Sequence, residues 1–437
     1  MPQAPLSADQ QAAELAAYYA DKRLLRRNLF FIMFTSWGHA LTGAVTVPLI
    51  MMRMKDNGVS ASLWGTLISA NQFAVSFLVM YFSWKSDHTV SRLGRRIPYL
   101  FIAAPFTILV LLAYPFVTNK WVLVSLWIVQ AFFMDMKAST YPLLSIDCVP
   151  RQQLARVGAL MAIVTGVTQF VANRYLIGLA DWIEWFPYVL SASILTLVTL
   201  VGGLMIKEPP IHNPTRETFK PWSTFKIGFR DRRVIWLVAA SAAVLGFMGV
   251  YGQWVWYFAK DTMNLDRTDI AKALAWAPLL NIVVAYPGGW IIDRFSGYKV
   301  TLLYCLMNVG AYVFVTGLNT PGELVIMSFL IIILASLSNA AGLMIIRHAK
   351  PEEMGSVTSS ASFIRSMTMA VVIGTSGYLT RIGDNNYQLA FLFGLCVTLV
   401  GLGLLLVYRC LMTRSRPVAG ALCEPTAQTA DTQAAQK

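Results

Sequence analysis

Residues 186–206 read FPYVLSASILTLVTLVGGLMI, twenty-one positions without one charged side chain. A helix of that length covers about 31 Å at 1.5 Å per residue, which matches a bilayer's hydrocarbon core. In lipid every backbone N–H and C=O must find its partner inside the chain, so the run is read as a helix. A membrane β-strand would alternate apolar and polar residues, and this stretch does not.

Working outward, eleven more runs of the same kind appear. The reading places spans at 28–51, 63–84, 99–117, 121–146, 157–179 and 186–206, then at 234–258, 270–292, 300–318, 324–346, 357–378 and 390–411. The expected fold is an all-α membrane protein, with twelve transmembrane helices in two six-helix halves. The organisation follows: a segment 1–27, a first bundle 28–206, a linker 207–233, a second bundle 234–411 and a disordered tail 412–437. The linker carries Pro209, Pro210, Pro214 and Pro221 among charges, a composition that joins units rather than packing into them.

Composition agrees. Of 437 residues, 56% are hydrophobic and 13% charged, and the mean hydropathy is +0.57. A soluble domain carries about 25% charged residues. The net charge of +13 does not signal nucleic-acid binding, because the cations sit between apolar spans and not on one soluble module. Roughly 25 Lys and Arg fall in the loops on the N-terminal side and roughly 7 on the other. That bias puts both termini in the cytoplasm, with the chain in the inner membrane of the cell. No cleavable leader is read at the N-terminus; the polar, Ala-rich stretch up to Asp21 is expected to be an amphipathic surface helix. Cys148, Cys305, Cys396, Cys410 and Cys423 are scattered, and His39, His88, His212 and His348 form no ligand cluster. No metal site and no cofactor are expected.

The two halves echo each other. Ser86-Asp87 with Arg92-Leu93-Gly94-Arg95-Arg96 follows span two, and Asp293-Arg294-Phe295-Ser296-Gly297-Tyr298-Lys299 follows span eight. Val149-Pro150-Arg151 follows span four, and Lys350-Pro351-Glu352 follows span ten. Both offsets are roughly 200 residues, as a duplicated six-span unit would give.

These loops resemble the signature of the major facilitator superfamily: a Gly, an Asp-Arg, then a Gly with basic residues. Gly289 through Lys299 fits the second copy, its glycine displaced by about one position. The first copy is stretched between Asp87 and Gly94, with Ser83 where many members have Gly. That stretched form resembles the glycoside–pentoside–hexuronide cation symporters and the sucrose-transporter group. Tyr141-Pro142-Leu143-Leu144-Ser145-Ile146-Asp147, with Pro150 and Arg156, resembles their fourth span and the loop after it. The resemblance implies alternating-access symport of a sugar or glycoside with a proton or other cation. It marks Asp87, Arg92, Gly94, Arg95, Arg96, Asp147, Arg156, Asp293, Arg294, Gly297 and Lys299 as gating residues. Physically, Asp87 and Asp293 can accept from a helix N-terminus such as the Ser- and Thr-rich start of span eleven, and the arginines can bridge carboxylates or lipid headgroups. Plain topology charge is the competing reading.

An ionisable group in mid-bilayer costs about 2.5–3.5 kcal/mol on insertion scales, so each one asks for a reason. His39 in span one can act as a proton switch or as a neutral bundle histidine. Asp135 in span four can take up a proton. Lys137 lies two residues on and points elsewhere on the helix. Counting rise from a shared end puts Asp135 about 18 Å and Arg174 about 25 Å up their helices. Long side chains can close that gap; if the two pair, they form a coupling device or a structural ion pair. Arg365 in span eleven can reach a substrate or snorkel. Asn71, Gln72, Gln130, Gln253, Trp254 and Asn281 are candidate amides and rings for a sugar, with an interfacial aromatic belt as the alternative for span seven.

The expected partners are a small-molecule substrate, a coupling ion (proton or sodium) and membrane lipids, the protein acting as a monomer. An organic anion is the second substrate class, favoured by Arg174 and Arg365. No Walker motif suggests ATP-driven transport, and no nucleophile-and-base motif suggests an enzyme. A sensor would be expected to carry an additional soluble domain of size.

Overall fold

The computed structural model describes residues 8–150, 153–210, 232–348, 354–383 and 385–414. Among them every regular element is helical. The N-terminal stretch forms α1 (Ala8–Ala20), and Asp21 caps α2 by accepting the N–H groups of Arg23 and Leu24. The first half continues with α2 (Lys22–Asp56), α3 (Ala61–Asp87), α4 (Ile97–Ala113), α5 (Lys120–Cys148), α6 (Leu154–Val171) and α7 (Phe186–Met205). A π-helical turn, Ala172–Leu176, and one last turn, Ile177–Leu179, prolong α6. The second half holds α8 (Arg232–Ala243), α9 (Gly246–Asp261), α10 (Arg267–Leu274), α11 (Trp276–Arg294), α12 (Gly297–Thr316), α13 (Pro321–His348), α14 (Met354–Ile382) and α15 (Tyr387–Arg414).

Ten of these helices, or continuous helix pairs, are long and apolar enough to cross a membrane, and α10 with α11 make an eleventh, bent by 52° between Val284 and Tyr286. Pro287 sits just past the bend; its ring clashes with the carbonyl four residues back, which kinks the helix there. The remaining long helix, α14, spans 29 residues but is rich in Ser, Thr and Gly. Its neighbours explain that composition. In hydrocarbon, small residues let helix backbones approach closely, and close packing supplies the attraction that the hydrophobic effect cannot.

Among the described residues, helices α3 and α14 form the most extensive helix pairing. A Cβ added at Gly65 would lie 2.9 Å from the Gly377 Cα, so the two backbones touch there. The Ser69 hydroxyl donates to the Ala370 carbonyl at 2.6 Å. Further along, the Phe77 and Phe363 rings meet edge to face, 5.2 Å apart. Trp254 of α9 is fully buried and backs the glycine contact, its ring 3.2 Å from a Cβ placed on Gly65. A second seam joins α6 to α11, where a Cβ on Gly166 would lie 2.9 Å from the Pro278 carbonyl oxygen. Span two thus meets span eleven and span five meets span eight, as a two-fold repeat demands.

The face carrying α1 and the end of α15 is termed the terminal face, and the opposite one the distal face. Within the first half, α2 packs on α5, α6 and α7, and α4 packs on α5 and α7. At the terminal face α1 is tied down rather than free: the Tyr18 hydroxyl donates to the Lys207 carbonyl and the Tyr19 hydroxyl to that of Asp147, each at 2.8 Å. The linker residues 211–231 and the tail from 415 lie outside the described residues.

A leucine at position 65 cannot share space with the Gly377 backbone, and overpacking of this kind costs about 1–3 kcal/mol. Asp56→Cys with Lys260→Cys cross-links the distal ends of α2 and α9 with a short bismaleimide or by oxidation. The expected outcome is ready cross-linking in the parent and a several-fold lower yield when Gly65→Leu is added. Equal yield would show that the seam does not hold the distal face shut.

Candidate functional site

The distal face is closed by ion pairs that cross between the halves. Lys55 pairs with Asp261, and Lys260 pairs with Asp56, a reciprocal exchange between the ends of α2 and α9. The Tyr387 hydroxyl donates to the other Asp261 oxygen at 2.6 Å. Lys55 also stands 4.9 Å from the centre of the Tyr257 ring. On the second seam Asp181, just past the end of α6, accepts from Arg267 and from the Thr268 hydroxyl. Burial pushes the Asp181 carboxyl up, but the Thr268 hydroxyl and the Arg267 guanidinium outweigh it and hold it below the usual carboxylate range. Arg53 of α2 pairs with Glu184 and donates to the Pro115 and Val117 carbonyls, locking the distal end of the first half. None of the charged residues here was singled out from the sequence. Each lies at a span end, where a charge needs no special reason.

The terminal face differs. Among the described residues, its ion pairs lie within the first half. Arg96 is almost buried, at 4% exposure. Its Nε donates to Asp147 at 2.6 Å, one terminal nitrogen to Asp87 at 2.9 Å, and the other to the Ser86 hydroxyl at 3.0 Å. Arg95 reaches Asp147 at 2.6 Å and Asp87 at 3.5 Å. Asp87 therefore turns to its own half in this conformation, not to the N-terminus of α14. The reason is proximity: the stretched loop folds Arg95 and Arg96 back beneath α3. Glu208 caps the same loop. It accepts the backbone N–H groups of Arg95, Arg96 and Ile97, each at 2.9 Å. Gly94 makes room, with φ +115, and a Cβ there would strike the Glu208 carboxyl at 2.5 Å. Arg92 is exposed on the rim of a cavity of about 460 Å³ between this loop and the end of α7.

In the second copy Arg294 lies over the Trp290 ring at 5.0 Å, Gly297 is packed against Met344, and Lys299 is exposed. The side chains of Asp293 and Arg156 lie outside those described.

In the membrane middle, Asp135 stands one residue from the centre of α5. Asn71 of α3 is its polar neighbour, and the Asp135 Oδ2 is buried without a partner. Lys137 points to the other side of α5, toward His39 of α2. The His39 ring meets Tyr141 edge to face at 5.0 Å, and its Nδ1 is buried without a partner. Gln130 is buried with a free Oε1. Asn71 and Asp135 thus neighbour each other between α3 and α5. Lys137 and His39 neighbour each other on the opposite side of α5, toward α2.

Other expectations fail. Asp135 and Arg174 do not pair. Helices α5 and α6 each pack on α2, which keeps those residues apart. Arg174 sits in the π turn near the distal end, over the Tyr175 ring at 5.7 Å, and borders a shallow cavity of about 280 Å³ with Asp269, Lys272 and Trp276. Trp254 belongs to the α3–α14 seam, where its Nε1 donates to the Ser376 hydroxyl at 2.8 Å. It offers no open ring face to a solute. Gln72 and Gln253 are half-buried, and Asn281 and Arg365 are exposed. Among the described residues no group of three or more His, Cys, Asp or Glu side chains could hold a metal ion.

Two sets of apolar helices meeting at two seams, latched at one face and polar in mid-membrane, define a helical membrane transporter. The chain belongs to the Major Facilitator Superfamily, whose family model matches residues 29–373. It is a transporter and not an enzyme. A search of curated proteins finds no match. Among solved structures it is similar to a mutant of the nucleoside transporter NupG, with a TM-score of 0.68 at 14% identity over 88% of this chain and 99% of that one. It is also similar to a bacterial homologue of the human lysosomal transporter Spinster in an inward-facing, occupied conformation. There the TM-score is 0.63 at 14% identity, over 92% and 99%. A bacterial metal transporter gives 0.61 at 13% identity, over 89% and 98%.

Two outcomes follow. Glu208→Ala leaves three N–H groups without their acceptor, and lost caps and buried bonds of this kind cost about 1–3 kcal/mol. Thermal unfolding in detergent should drop by several degrees, and an unchanged midpoint would show that water replaces the carboxylate. Asp181 has a lowered folded-state value, so its contribution to distal closure is complete above the free-aspartate value near 3.9 and is lost only as pH falls through the lower, paired value. Cross-linking between positions 56 and 260 by a pH-insensitive reagent should stay constant from pH 8 to 5. Arg267→Gln should weaken closure across that range, and a parent that opens between pH 8 and 6 would contradict this assignment.

Proposed function

We propose that this protein is a secondary active transporter that moves a small polar solute, a sugar or glycoside, across the inner membrane by alternating access. Transport is coupled to a proton or another cation. The terminal face is cytoplasmic, as its excess of Lys and Arg argues. The conformation described here, with the distal face latched, is the one that serves the cytoplasmic side.

One observation carries the coupling. Of the acidic residues in the sequence only Asp135 falls in mid-span, and it presents an oxygen that no protein group satisfies. A buried carboxylate with a free oxygen either holds a proton or binds a cation. Asn71 is the polar neighbour of that carboxylate. Loading Asp135 removes a charge from the path and lowers the cost of rearranging it. Occupancy can then bias the two faces differently, which is what coupling requires. The stretched Asp87–Arg96 loop supports the sugar class through its resemblance to sugar symporters.

In proteoliposomes, uptake should be stimulated by an inward proton or sodium gradient. Asp135→Asn should abolish that stimulation, by more than tenfold, while leaving solute exchange at equal concentrations. Gradient-driven uptake that survives Asp135→Asn would remove Asp135 from the coupling role.

A further inference from the structure

The internal repeat duplicates a cavity as well as a motif. In the first half, the cavity of about 460 Å³ lies between the loop after α3 and the end of α7. Those are the loop after span two and the end of span six. In the second half, a cavity of about 240 Å³ lies between the loop after α11 and the end of α15. Those are the loop after span eight and the end of span twelve. The walls correspond one to one, as two six-span units require. Both cavities belong to the terminal face.

Each cavity receives cations from both of its walls. The motif loop brings Arg92 and Arg95 to the first and Lys299 to the second, while the last span of each half brings Lys207 and Arg409. Arg92, Lys207, Lys299 and Arg409 are exposed. The acids beside the first cavity are engaged elsewhere, Asp87 with Arg96 and Glu208 with three backbone N–H groups. Among the described residues no acid lines the second. The cations are also held in place. The Lys207 N–H donates to Asn28 at 3.1 Å, and the Lys207 carbonyl accepts from Asn28 and Tyr18, each at 2.8 Å. Arg95 is anchored on Asp147 at 2.6 Å, and Arg409 lies over the Tyr298 ring at 4.6 Å.

Apolar surface adjoins each set of cations. Val90 and Leu93 line the first cavity and are exposed on an otherwise polar loop. Leu204 lines it too, and Leu200 and Leu197 continue from there along α7, all three exposed. Spacings of four and three residues put them on one helix face. In the second half Phe295 is exposed beside Ser296, and Leu411, Val407 and Val400 are exposed along α15 at spacings of four and seven. A site for a free anion needs only the cations. Cations at the foot of an apolar, lipid-facing stripe fit an amphiphile with a negative head.

We propose that these cavities are a repeat-related pair of sites for anionic phospholipid headgroups, one on each half, in the leaflet at the terminal face. The phosphate meets one cation from the motif loop and one from the last span, and an acyl chain follows the exposed row on α7 or α15. The excess of Lys and Arg makes this the cytoplasmic leaflet, whose anionic lipids attract cations at span ends. A bound headgroup straps the motif loop of each half to that half's last span. Because each strap lies within one half, it stiffens the block and leaves the glycine seams free. Arg92 and Lys299 then serve the lipid rather than a latch between the halves. The inference is independent of which solute is carried.

The test is native mass spectrometry of the purified full-length protein in detergent, with phosphatidylglycerol or phosphatidylcholine of identical acyl chains added at equal concentration. The protein should retain two more molecules of phosphatidylglycerol than of phosphatidylcholine. Arg92→Gln with Lys207→Gln should remove one of the two, and Lys299→Gln with Arg409→Gln the other, each pair weakening its site by about tenfold or more. Where the second pair lowers the yield of folded protein, Lys299→Glu alone should remove the same lipid. Arg92→Lys and Lys299→Arg keep the charge and should keep both lipids. Arg381→Gln removes an exposed cation from the distal end of α14 and should change neither. Glycerol phosphate at the lipid's concentration should displace nothing, since it has no chain to lay on the apolar row. Equal retention of the two lipids overturns the inference, as does an excess that the Gln pairs leave intact or that Arg381→Gln removes. Displacement by glycerol phosphate would make the sites ones for a soluble anion and overturn the lipid assignment. An excess of one molecule would overturn the duplication.

Discussion

At Gly65 and Gly377 two helix backbones come into direct contact, and the other features of this molecule take their places around that contact. Lipid offers no hydrophobic drive for helices to join, so attraction must come from close approach and from the few polar bonds that close approach permits. Missing side chains create the approach. Ser69 then reaches a carbonyl across the gap, and Trp254 fills the space behind with its indole N–H satisfied by Ser376. Because the contact lies toward the distal face, it brings the ends of α2 and α9 into range. Lys55, Asp56, Lys260 and Asp261 then cross-pair. Exposed ion pairs are individually weak; here packing holds them at close range, and they act as a latch on a seam already made.

The terminal face uses its charges differently. Arg96 is enclosed by Asp87, Asp147 and Ser86, and Glu208 covers the N–H groups that open α4. These bonds run within one half and make its end a rigid block, with α1 pinned beneath by two tyrosine hydroxyls. A rigid half that pivots on glycine seams is what rocking-bundle transport needs. Between the faces the polar side chains are few, and several are left incompletely bonded. Such atoms are costly unless something visits them.

Much of this was legible in the chain. Runs such as 186–206 gave away the lipid-facing helices because their composition answers to a bulk solvent, a property each residue carries by itself. The duplicated loop motif gave the two-part plan for the same local reason. The eleventh run, 357–378, is polar for a span, and the structure explains why: α14 packs against α3 along much of its length. What failed depended on which helix stands beside which. Asp135 and Arg174 look like partners when rise alone is counted, but α2 packs against both of their helices. Lys137 looks isolated from Asp135 at two residues' spacing, which is correct, yet its true neighbour His39 lies nearly a hundred residues upstream. Trp254 reads as a sugar platform or a belt residue until Gly65 and Gly377 show the slot that it fills. The distal ion pairs were invisible because charged residues at span ends are the default.

Reciprocal motion of the two faces about the glycine seams can be measured directly. Spin labels at positions 56 and 260 report the distal face, and labels at 92 and 299 report the terminal face, by double electron–electron resonance in lipid nanodiscs. As pH, ion or solute is varied, the two distance distributions should shift in opposite senses, one pair lengthening while the other shortens. Faces that open together, or a distal distance that never leaves its closed value under any condition that supports uptake, would contradict alternating access by this architecture.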